Sequence, residues 1–386
     1  MTLPQQNSGL PPPPADALAL STQLNALIRR EISAAGGWLP FARYMELALY
    51  APGLGYYSAG SRKLGAAGDF VTAPELSPLF GRALARQLAE LVRQGLSDIL
   101  ELGAGSGVLA ATLLAELAAL GSLPERYAIL EVSADLRERQ QAHLAQTVPH
   151  LADRVHWLDT QPGSMQAIVI ANEVLDAVPV HRIRIEGSAA QEMGVVATAD
   201  GYAWACRPAG AALAAAACAQ QLPDDYETEI SLAAPALVAD LGRRLERGVL
   251  LFIDYGFPAR EFYHPQRNRG TLMCHYQHHA HADPFLWPGL QDITAHVDFS
   301  AIARAAPDLD LLGYTSQAQF LINCGITELL AAVPAADAAR YAPLAAQAQK
   351  LLSPAEMGEL FKVVALGRGV TAPLLGFSRG DKSHTL

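Results

Sequence analysis

The sequence has few cysteines, an excess of acidic residues and no long hydrophobic run. Its four cysteines show no C-x-x-C pair and no zinc-ligand spacing, which indicates reduced thiols in a cytosolic-type compartment. Lys and Arg total 28 against 38 Asp and Glu, and this net charge of −10 argues against a broad nucleic-acid-binding surface. No run approaches the roughly 18 apolar residues of a membrane span. The sequence therefore predicts a soluble protein without membrane insertion.

The N-terminus lacks the features of a targeting segment. It has no basic region followed by an apolar core, and its first arginine is Arg29, unlike a secretory signal or an Arg-rich transit peptide. We therefore expect a cytoplasmic protein. Four consecutive prolines predict a disordered tail over residues 1–16. The chain of 386 residues, 51% hydrophobic, can bury a large core in one elaborated domain or two.

Helical patterns dominate residues 17–97, which we interpret as an N-terminal helical region. The first pattern, from residue 17 to about residue 50, is broken at Gly36-Gly37. A second helix is predicted from Pro78 to about residue 94, because Ser77 can cap it, proline suits its first turn and Gly95 can end it.

Beyond residue 97 the pattern changes to short apolar runs separated by helix-like segments. Five runs ("DIL", "YAIL", "VHWL", "AIVIA", "GVLLFI") are continuously apolar, as expected of strands buried on both faces of a parallel sheet. The sequence therefore predicts an α/β fold. In such sheets ligands bind outside the carboxyl ends of the strands. Acidic residues follow all five runs and should line one crevice: Glu101, Glu131, Asp159, Glu173 and Asp254.

The rest of the chain is divided around this sheet. We assign residues 98–185 and 239–370 to the core, with a lid over 257–300 predicted as a long ordered loop. An insertion over 186–238 is predicted to hold a β-hairpin around Ala199–Gly201 and a helix. An apolar face on this hairpin could serve a homodimer. Residues 371–386 are predicted to be a flexible tail.

The stretch "ILELGAGSGVLAATLL" predicts a strand, a tight glycine turn and a helix. Gly103, Gly105 and Gly107 would let the backbone approach a ligand at the helix N-terminus. A dinucleotide fingerprint would need glycine at position 108, which is valine. The E-x-G-x-G-x-G pattern instead resembles motif I of class I S-adenosylmethionine (SAM) methyltransferases.

That resemblance implies roles for three acids. Glu101 would serve the methionine amino group of SAM, Glu131 the ribose hydroxyls and Asp159 the adenine amine. Taken singly, Glu131 and Asp159 could equally be helix caps or solvated strand ends.

The segment "NEVLDAVP" places Asn172, Glu173 and Asp176 directly after an apolar strand. Two carboxylates three residues apart suit the planar fork of a guanidinium group and could concentrate nucleophilic character on one nitrogen. The alternative is that Asn172 and Asp176 cap a turn before Pro179.

An ordered set of motifs resembles the MidA-like methyltransferase family over nearly the whole chain. These motifs are "GDFVTAPELSPLFG" (68–81), "ELGAGSG" (101–107), "NEVLDAVP" (172–179), "IDYGF" (253–257) and "QDITAHVDF" (291–299). The resemblance implies a class I Rossmann-like fold with a mostly parallel sheet of seven strands, a helical N-terminal region and a lid. It also implies SAM as cofactor and a protein substrate carrying a target arginine, with symmetric dimethylation of a respiratory complex I-type subunit.

The resemblance adds further candidate residues. Asp69, Phe70 and Thr72 would belong to a loop folding over SAM, although Thr72 and Glu75 also fit a capping box. Asp254 would hold substrate or orient the lid. His296 would contact substrate or take the product proton, unless it is simply hydrogen-bonded within the lid.

Three other interpretations remain open. A nicotinamide-dependent oxidoreductase is opposed by Val108 and by the lack of a second nucleotide motif. A SAM-binding assembly factor without catalysis is opposed by the intact glycine loop and Glu131. Within methyltransferases, another protein or a small molecule could be the acceptor. The histidine-rich stretch "CHYQHHAHAD" lacks helical ligand spacing, so we expect no metal.

Overall fold

The computed structural model describes residues 10–59 and 71–386. Within these ranges the α-helices, in chain order, are α1 (Ala15–Ala34), α2 (Phe41–Tyr50), α3 (Ala73–Leu76), α4 (Pro78–Arg93), α5 (Val108–Ala119), α6 (Ala134–Thr147), α7 (Ala211–Ala219), α8 (Ala233–Arg244), α9 (Ala259–Phe262), α10 (Phe299–Arg304), α11 (Gln317–Asn323), α12 (Ile326–Ala331) and α13 (Ala338–Leu352).

The strands of the same ranges, in chain order, are β1 (Leu39–Pro40), β2 (Asp98–Leu102), β3 (Arg126–Leu130), β4 (Val155–Leu158), β5 (Met165–Asn172), β6 (His181–Glu186), β7 (Ala189–Ala197), β8 (Tyr202–Pro208), β9 (Glu227–Ile230), β10 (Leu245–Phe257), β11 (Met273–Tyr276), β12 (His279–His281), β13 (Asp292–Thr294), β14 (Val297–Asp298), β15 (Asp310–Ser316) and β16 (Phe361–Arg368).

The described residues form two compact units. The first unit comprises residues 10–59, Asp176–Pro235 and Ala259–His296, and the second comprises Val71–Leu175, Ala236–Pro258 and Val297–Leu386.

The second unit is built on one mixed sheet with the strand order β15-β16-β10-β5-β2-β3-β4. The five strands from β10 to β4 run parallel, β16 is antiparallel to both of its neighbours, and β14 pairs with the end of β10. Ile168, Val169 and Ile170 of the central strand β5 are all fully buried, although successive side chains point to opposite faces. Burial on both faces explains why these strands are continuously apolar in the sequence. The predicted α/β fold is confirmed.

The first unit contains two antiparallel sheets. In the larger sheet β8, β7, β6 and β9 are neighbours in that order and β1 adds to β7, while β12, β11 and β13 form the smaller one. Helix α1 buries Leu24, Ile28 and Ile32, which are spaced four residues apart and therefore share one face. These side chains pack with α2 in an apolar core.

Several predicted elements lie where the sequence puts them. Helix α4 starts at Pro78, its N-cap Ser77 accepts a hydrogen bond from the Leu79 N–H, and Gly95 follows with a φ of 86°. The first helical pattern breaks at Gly36-Gly37 into α1 and α2. The hairpin around Ala199–Gly201 is formed by β7 and β8.

Other expectations differ from the structure. Strand β9 interrupts the region assigned to one helix, and residues 257–300 contain the β11–β13 sheet where a long loop was expected. Helix α1 begins at Ala15, inside the expected disordered tail. The C-terminal segment is not a flexible tail, because Leu374 and Phe377 are buried in the core of the second unit. Its few apolar residues gain more by packing than short-range sequence patterns indicate.

Among the described residues, none of the helices combines the length and apolar character needed to cross a membrane. Residues 10–59 and 71–386 also bring together no group of three or more His, Cys, Asp and Glu side chains suited to a metal ion.

Candidate active site

Polar and acidic residues collect at the carboxyl ends of the parallel strands in the second unit. Because β10, β5, β2, β3 and β4 are consecutive neighbours, their carboxyl ends form one edge of the sheet. Glu131 and Asp159 directly follow β3 and β4, Asn172 ends β5, Glu101 is the penultimate residue of β2, and Asp254 lies three residues before the end of β10. The structure thus brings five of the predicted residues to a single edge.

The glycine loop joins β2 to α5 at this edge. Gly103, Gly105 and Gly107 all have positive φ angles, of 61°, 56° and 84°. Gly107 is the N-cap of α5 and makes no side-chain cap, while the N–H of Val108, the first helical residue, donates to the Ser106 hydroxyl at 3.4 Å. A side chain at Gly107 would be conformationally strained and would approach Gln140 to 3.3 Å.

The residues before α4 give a different result from the predicted capping box. Thr72 is the N-cap of α3 but its side chain accepts no cap hydrogen bond, and the Glu75 carboxylate instead accepts a hydrogen bond from the Ser106 hydroxyl of the glycine loop. The capping-box interpretation is therefore wrong, because Glu75 has a better partner across the fold. Asp69 and Phe70 lie outside the described residues.

Glu101 is a buried carboxylic acid. It is 2% exposed, and its Oε2 accepts a 2.7 Å hydrogen bond from the Tyr127 hydroxyl. Burial, opposed by the hydrogen bond from Tyr127 and aided by the neighbouring charge of Glu131, raises the pKa of Glu101 to about 7. An acid of this kind favours a cationic ligand, because a nearby positive charge restores the ionised form.

Replacing Glu101 with glutamine is expected to stabilise the ligand-free protein at pH 8. Its pKa is raised on folding, so the acid costs stability as pH rises above its unfolded pKa, and the cost is complete above the folded value of about 7. The largest gain for Glu101→Gln is therefore about 3 kcal/mol at pH 8, shrinking towards zero near pH 4.5. Urea unfolding at several pH values measures it. Equal unfolding free energies for wild type and variant at pH 8 would contradict a neutral-to-charged transition of this residue.

Glu131 is 5% exposed and held by two hydrogen bonds. Its Oε1 accepts from the Ser133 N–H at 2.9 Å and its Oε2 from the Gln140 amide at 3.0 Å. Burial raises its pKa despite these hydrogen bonds. The carboxylate is thus fixed in one orientation beside the glycine loop. The N-cap of α6 is Ser133, whose side chain accepts from the Leu136 N–H, so Glu131 is not the helix cap that the alternative proposed.

Asp159 has a different environment from the two glutamates. Its side chain is 85% exposed and pairs with Arg137 at 2.7 Å. The same Arg137 Nη2 also donates to the carbonyl oxygens of Glu131 and Leu158, at 3.2 and 3.4 Å. This arginine therefore joins the ends of β3 and β4.

Val132 was not identified from the sequence. It is 82% exposed, directly after Glu131. An exposed apolar side chain next to a buried carboxylate offers a ligand a hydrophobic contact at this edge of the sheet. Only its position after the strand-end acid could have drawn attention to it.

Glu173 has an unusual backbone conformation. Its φ angle is 54°, a region that a glutamate rarely adopts, and its N–H donates to the Ile253 carbonyl at 2.9 Å. Its Oε1 accepts hydrogen bonds from the Ala73 N–H at 3.2 Å and from the Asn172 amide at 3.1 Å. Strained backbone of this kind persists where the surrounding contacts enforce it, and it is concentrated at functional sites.

Asn172 supplies a buried acceptor. Its Oδ1 is buried and accepts no hydrogen bond from the residues that the structure describes. Buried acceptors are normally paired, so this oxygen fits a ligand that brings a donor.

Asp254 organises the loop after β5. It is 1% exposed, and its Oδ2 accepts from the N–H groups of Val174 and Leu175, at 3.1 and 2.8 Å. Its Oδ1 accepts from the Tyr255 N–H at 3.0 Å. The two predicted alternatives for Asp254, holding substrate and orienting the lid, stay predictions. The observed hydrogen bonds connect it to the loop after β5 and to Tyr255.

Asp176 and His296 belong to the first unit. There the Asp176 carbonyl accepts a 3.0 Å hydrogen bond from the Ala295 N–H, and the His296 N–H donates to the Thr271 hydroxyl at 3.1 Å. The hydrogen bond between Asp176 and Ala295 joins the two segments of this unit that contain Asp176 and His296. The roles of both residues toward a substrate stay predictions.

The histidine-rich stretch forms a hairpin. Strands β11 and β12 are joined by Gln277 and His278, which both have positive φ angles, of 45° and 63°. Such angles are those of a two-residue turn that matches the twist of the strands. The histidines that are close together in the sequence therefore lie on two strands and the turn between them.

Comparison with known proteins bears on this site. A family model described as S-adenosyl-L-methionine-dependent methyltransferase matches residues 79–315 of the chain. The mouse protein arginine methyltransferase NDUFAF7, mitochondrial, is 30% identical over 92% of this chain and 86% of its own length. Its Drosophila melanogaster homologue is 30% identical over 89% and 86%.

Solved structures are similar over almost the full length. A superfamily member from Burkholderia thailandensis, bound to S-adenosyl-homocysteine, is 52% identical with a TM-score of 0.95, covering 98% of this chain and all of that one. A native crystal structure of a protein from the same organism and superfamily has 52% identity, a TM-score of 0.92 and the same coverage.

Proposed function

The chain belongs to the S-adenosyl-L-methionine-dependent methyltransferase family, and from this premise we propose that it methylates arginine side chains of a protein. The relatives named protein arginine methyltransferase support this acceptor. We further propose symmetric dimethylation of a respiratory complex I-type subunit. The observation that carries the proposal is the strained Glu173, whose carboxylate is fixed at the ligand edge of the sheet.

The residues at this edge fit SAM. Its ammonium group suits the acceptor atoms of Glu101 and Asn172, its ribose hydroxyls suit Glu131, and its adenine suits Asp159 with Val132 beside it. SAM carries no phosphate, so the acids at the strand ends are not placed against phosphate charge. When bound, the cofactor supplies an electrophilic methyl group on a positively charged sulfur.

A guanidinium group is a weak nucleophile because its charge and lone pairs are delocalised. A carboxylate that accepts two of its N–H groups holds the plane of the group and favours charge on the side facing the acid. The nitrogen that receives the methyl group would form one new N–C bond while the methyl–sulfur bond of SAM breaks and S-adenosylhomocysteine leaves, and the nitrogen would then lose one proton. We propose that Glu173 holds the guanidinium in this way. The roles predicted from the sequence for Asp176, as a second anion, and for His296, as a proton acceptor, stay predictions.

Asp254 stabilises the proposed position of Glu173 indirectly. By accepting the N–H groups of Val174 and Leu175, it fixes the loop that carries Glu173. Methyl transfer depends chiefly on alignment, so small displacements of this loop would lower the rate. We propose that Asp254 acts through Glu173 and does not itself touch the acceptor. The homodimer stays a prediction.

Methylarginine proteomics tests the proposed acceptor. Cells lacking the endogenous gene would receive wild type, Gly105→Val or the control Gly163→Val. A side chain at Gly105 is strained because φ is 56°, whereas Gly163 has no neighbouring atom within 4 Å of an added Cβ. We expect a symmetric dimethylarginine on one respiratory-complex peptide with wild type and Gly163→Val, and its loss with Gly105→Val.

The other outcomes separate the alternatives. If a methyl mark on another residue or on a small molecule depends on Gly105, the acceptor is not arginine. If Gly105→Val restores respiratory-complex assembly with no methyl mark restored, the protein acts as an assembly factor without catalysis and the proposal of catalysis fails.

A further inference from the structure

Gln140 is a fully buried glutamine in a helix that is otherwise mostly exposed. Helix α6 buries only Gln140 and Leu144. A buried side-chain amide is costly unless its donors and acceptor are all paired. The partners of this amide therefore explain why it is there.

Both N–H donors of the Gln140 amide and its acceptor oxygen make hydrogen bonds. Its Nε2 donates to the Gly105 carbonyl and to the Glu131 Oε2, both at 3.0 Å. Its Oε1 accepts from the Trp157 indole N–H at 2.8 Å. The reverse amide orientation would set Oε1 against a carbonyl and a carboxylate and Nε2 against an N–H donor, so the partners fix the orientation.

The three partners belong to three different segments near the sheet edge that is formed by the carboxyl ends of the parallel strands. Gly105 is in the glycine loop, Glu131 follows β3, and Trp157 lies in β4. One side chain is thus hydrogen-bonded to the glycine loop, to the Glu131 carboxylate and to strand β4. The Gln140 backbone also packs 3.3 Å from the position that a Cβ on Gly107 would occupy.

We propose that Gln140 is a positioning residue that sets the affinity for the ribose of the cofactor by orienting the Glu131 carboxylate. Each carboxylate oxygen of Glu131 accepts one hydrogen bond, Oε1 from Ser133 and Oε2 from Gln140. These two bonds fix the directions of the lone pairs that remain for a ligand. A ligand that binds a preorganised acceptor does not bear the cost of ordering it. The inference rests on the assignment of Glu131 to the ribose, which is part of the proposed function, and is independent of the methyl acceptor.

Binding of S-adenosylhomocysteine, measured by calorimetry, tests this inference. Gln140→Met keeps the length and removes all three hydrogen bonds, and we expect its Kd to rise about tenfold or more. The matched control is Gln87→Met, because Gln87 is also fully buried and accepts one hydrogen bond from the Gly376 N–H. We expect this control to leave Kd within twofold.

A double-mutant cycle separates positioning from general support. In a Glu131→Ala background, Gln140→Met is expected to change Kd by less than about threefold, because the group that it orients is gone. A 2′-deoxyribose analogue of the ligand should likewise lose less affinity to Gln140→Met than S-adenosylhomocysteine does. An undiminished tenfold effect in both cases would overturn the inference, as would a Kd for Gln140→Met within twofold of wild type.

A second variant covers the case in which Gln140→Met does not fold. Gln140→Glu retains the length and an acceptor for Trp157, but it sets a second carboxylate against Glu131 and the Gly105 carbonyl. At pH 8 we expect its Kd to rise more than tenfold, and a value within twofold of wild type would overturn the inference. Failure of the arginine proposal leaves these measurements unaffected, since they contain no acceptor.

Discussion

Replacing Glu173 with glutamine is expected to lower the rate of methyl transfer by at least about 100-fold and to change the Kd for SAM by less than about threefold. Glutamine matches the size of glutamate and tolerates the left-handed backbone no worse, so the loop geometry is kept. The variant lacks the negative charge that would hold and polarise a guanidinium. Its effect should therefore fall on the chemical step and not on cofactor binding.

Transfer of a labelled methyl group from SAM to proteins of a lysate from cells lacking the enzyme measures this rate. The control is Glu356→Gln, because Glu356 is exposed and lies far along the chain from the strand-end residues. The control should retain the wild-type rate. A Glu173→Gln enzyme that keeps more than one tenth of that rate would exclude Glu173 from a direct role in the reaction.

Replacing Asp254 with alanine is expected to lower the free energy of unfolding by about 3–5 kcal/mol and to abolish methyl transfer. The carboxylate is almost completely buried and accepts from three backbone N–H groups, those of Val174, Leu175 and Tyr255. Alanine leaves these donors without their acceptor, and each unpaired buried donor is costly. The loop that carries Glu173 loses its support in the same step.

Urea unfolding with an Asp240→Ala control measures the effect on stability. Asp240 pairs with Arg243 and Arg244 on one helix, and its side chain is 31% exposed, so its loss should cost less than about 1 kcal/mol. Asp254→Asn keeps one carbonyl acceptor and should fall between Asp254→Ala and wild type in stability. If Asp254→Ala is no less stable than Asp240→Ala, the three hydrogen bonds do not support the loop.

Local sequence patterns predicted much of this fold because local chemistry is what decides those elements. Continuous apolar runs specify strands buried on both faces, and Ser77 with Pro78 specifies the start of α4. The glycine loop between β2 and α5 follows from residues adjacent in the chain. The common location of the acids at the strand ends could also be predicted from the sequence, because parallel strands have their carboxyl ends at one edge of the sheet.

Partners distant in sequence could not be predicted in this way. Thr72 and Glu75 fit a capping box by spacing, yet the Ser106 hydroxyl, 31 residues further on, takes the Glu75 carboxylate. Strand β9 and the C-terminal segment have weak local patterns, and packing against the rest of each unit determines their structure. Gln140 looks like any polar residue of an exposed helix, and its partners come from three separate segments.

The sequence by itself therefore determined the α/β class, the glycine loop and the identity of the acids that follow the strands. Tertiary structure decided which hydrogen-bond partners those acids have. Asp254 turns toward backbone N–H groups and becomes a support, while Glu173 is held in a strained conformation with its carboxylate fixed. The physical reason is that strand ends are fixed by local pattern, whereas the direction of a side chain there depends on donors brought near only when the chain folds.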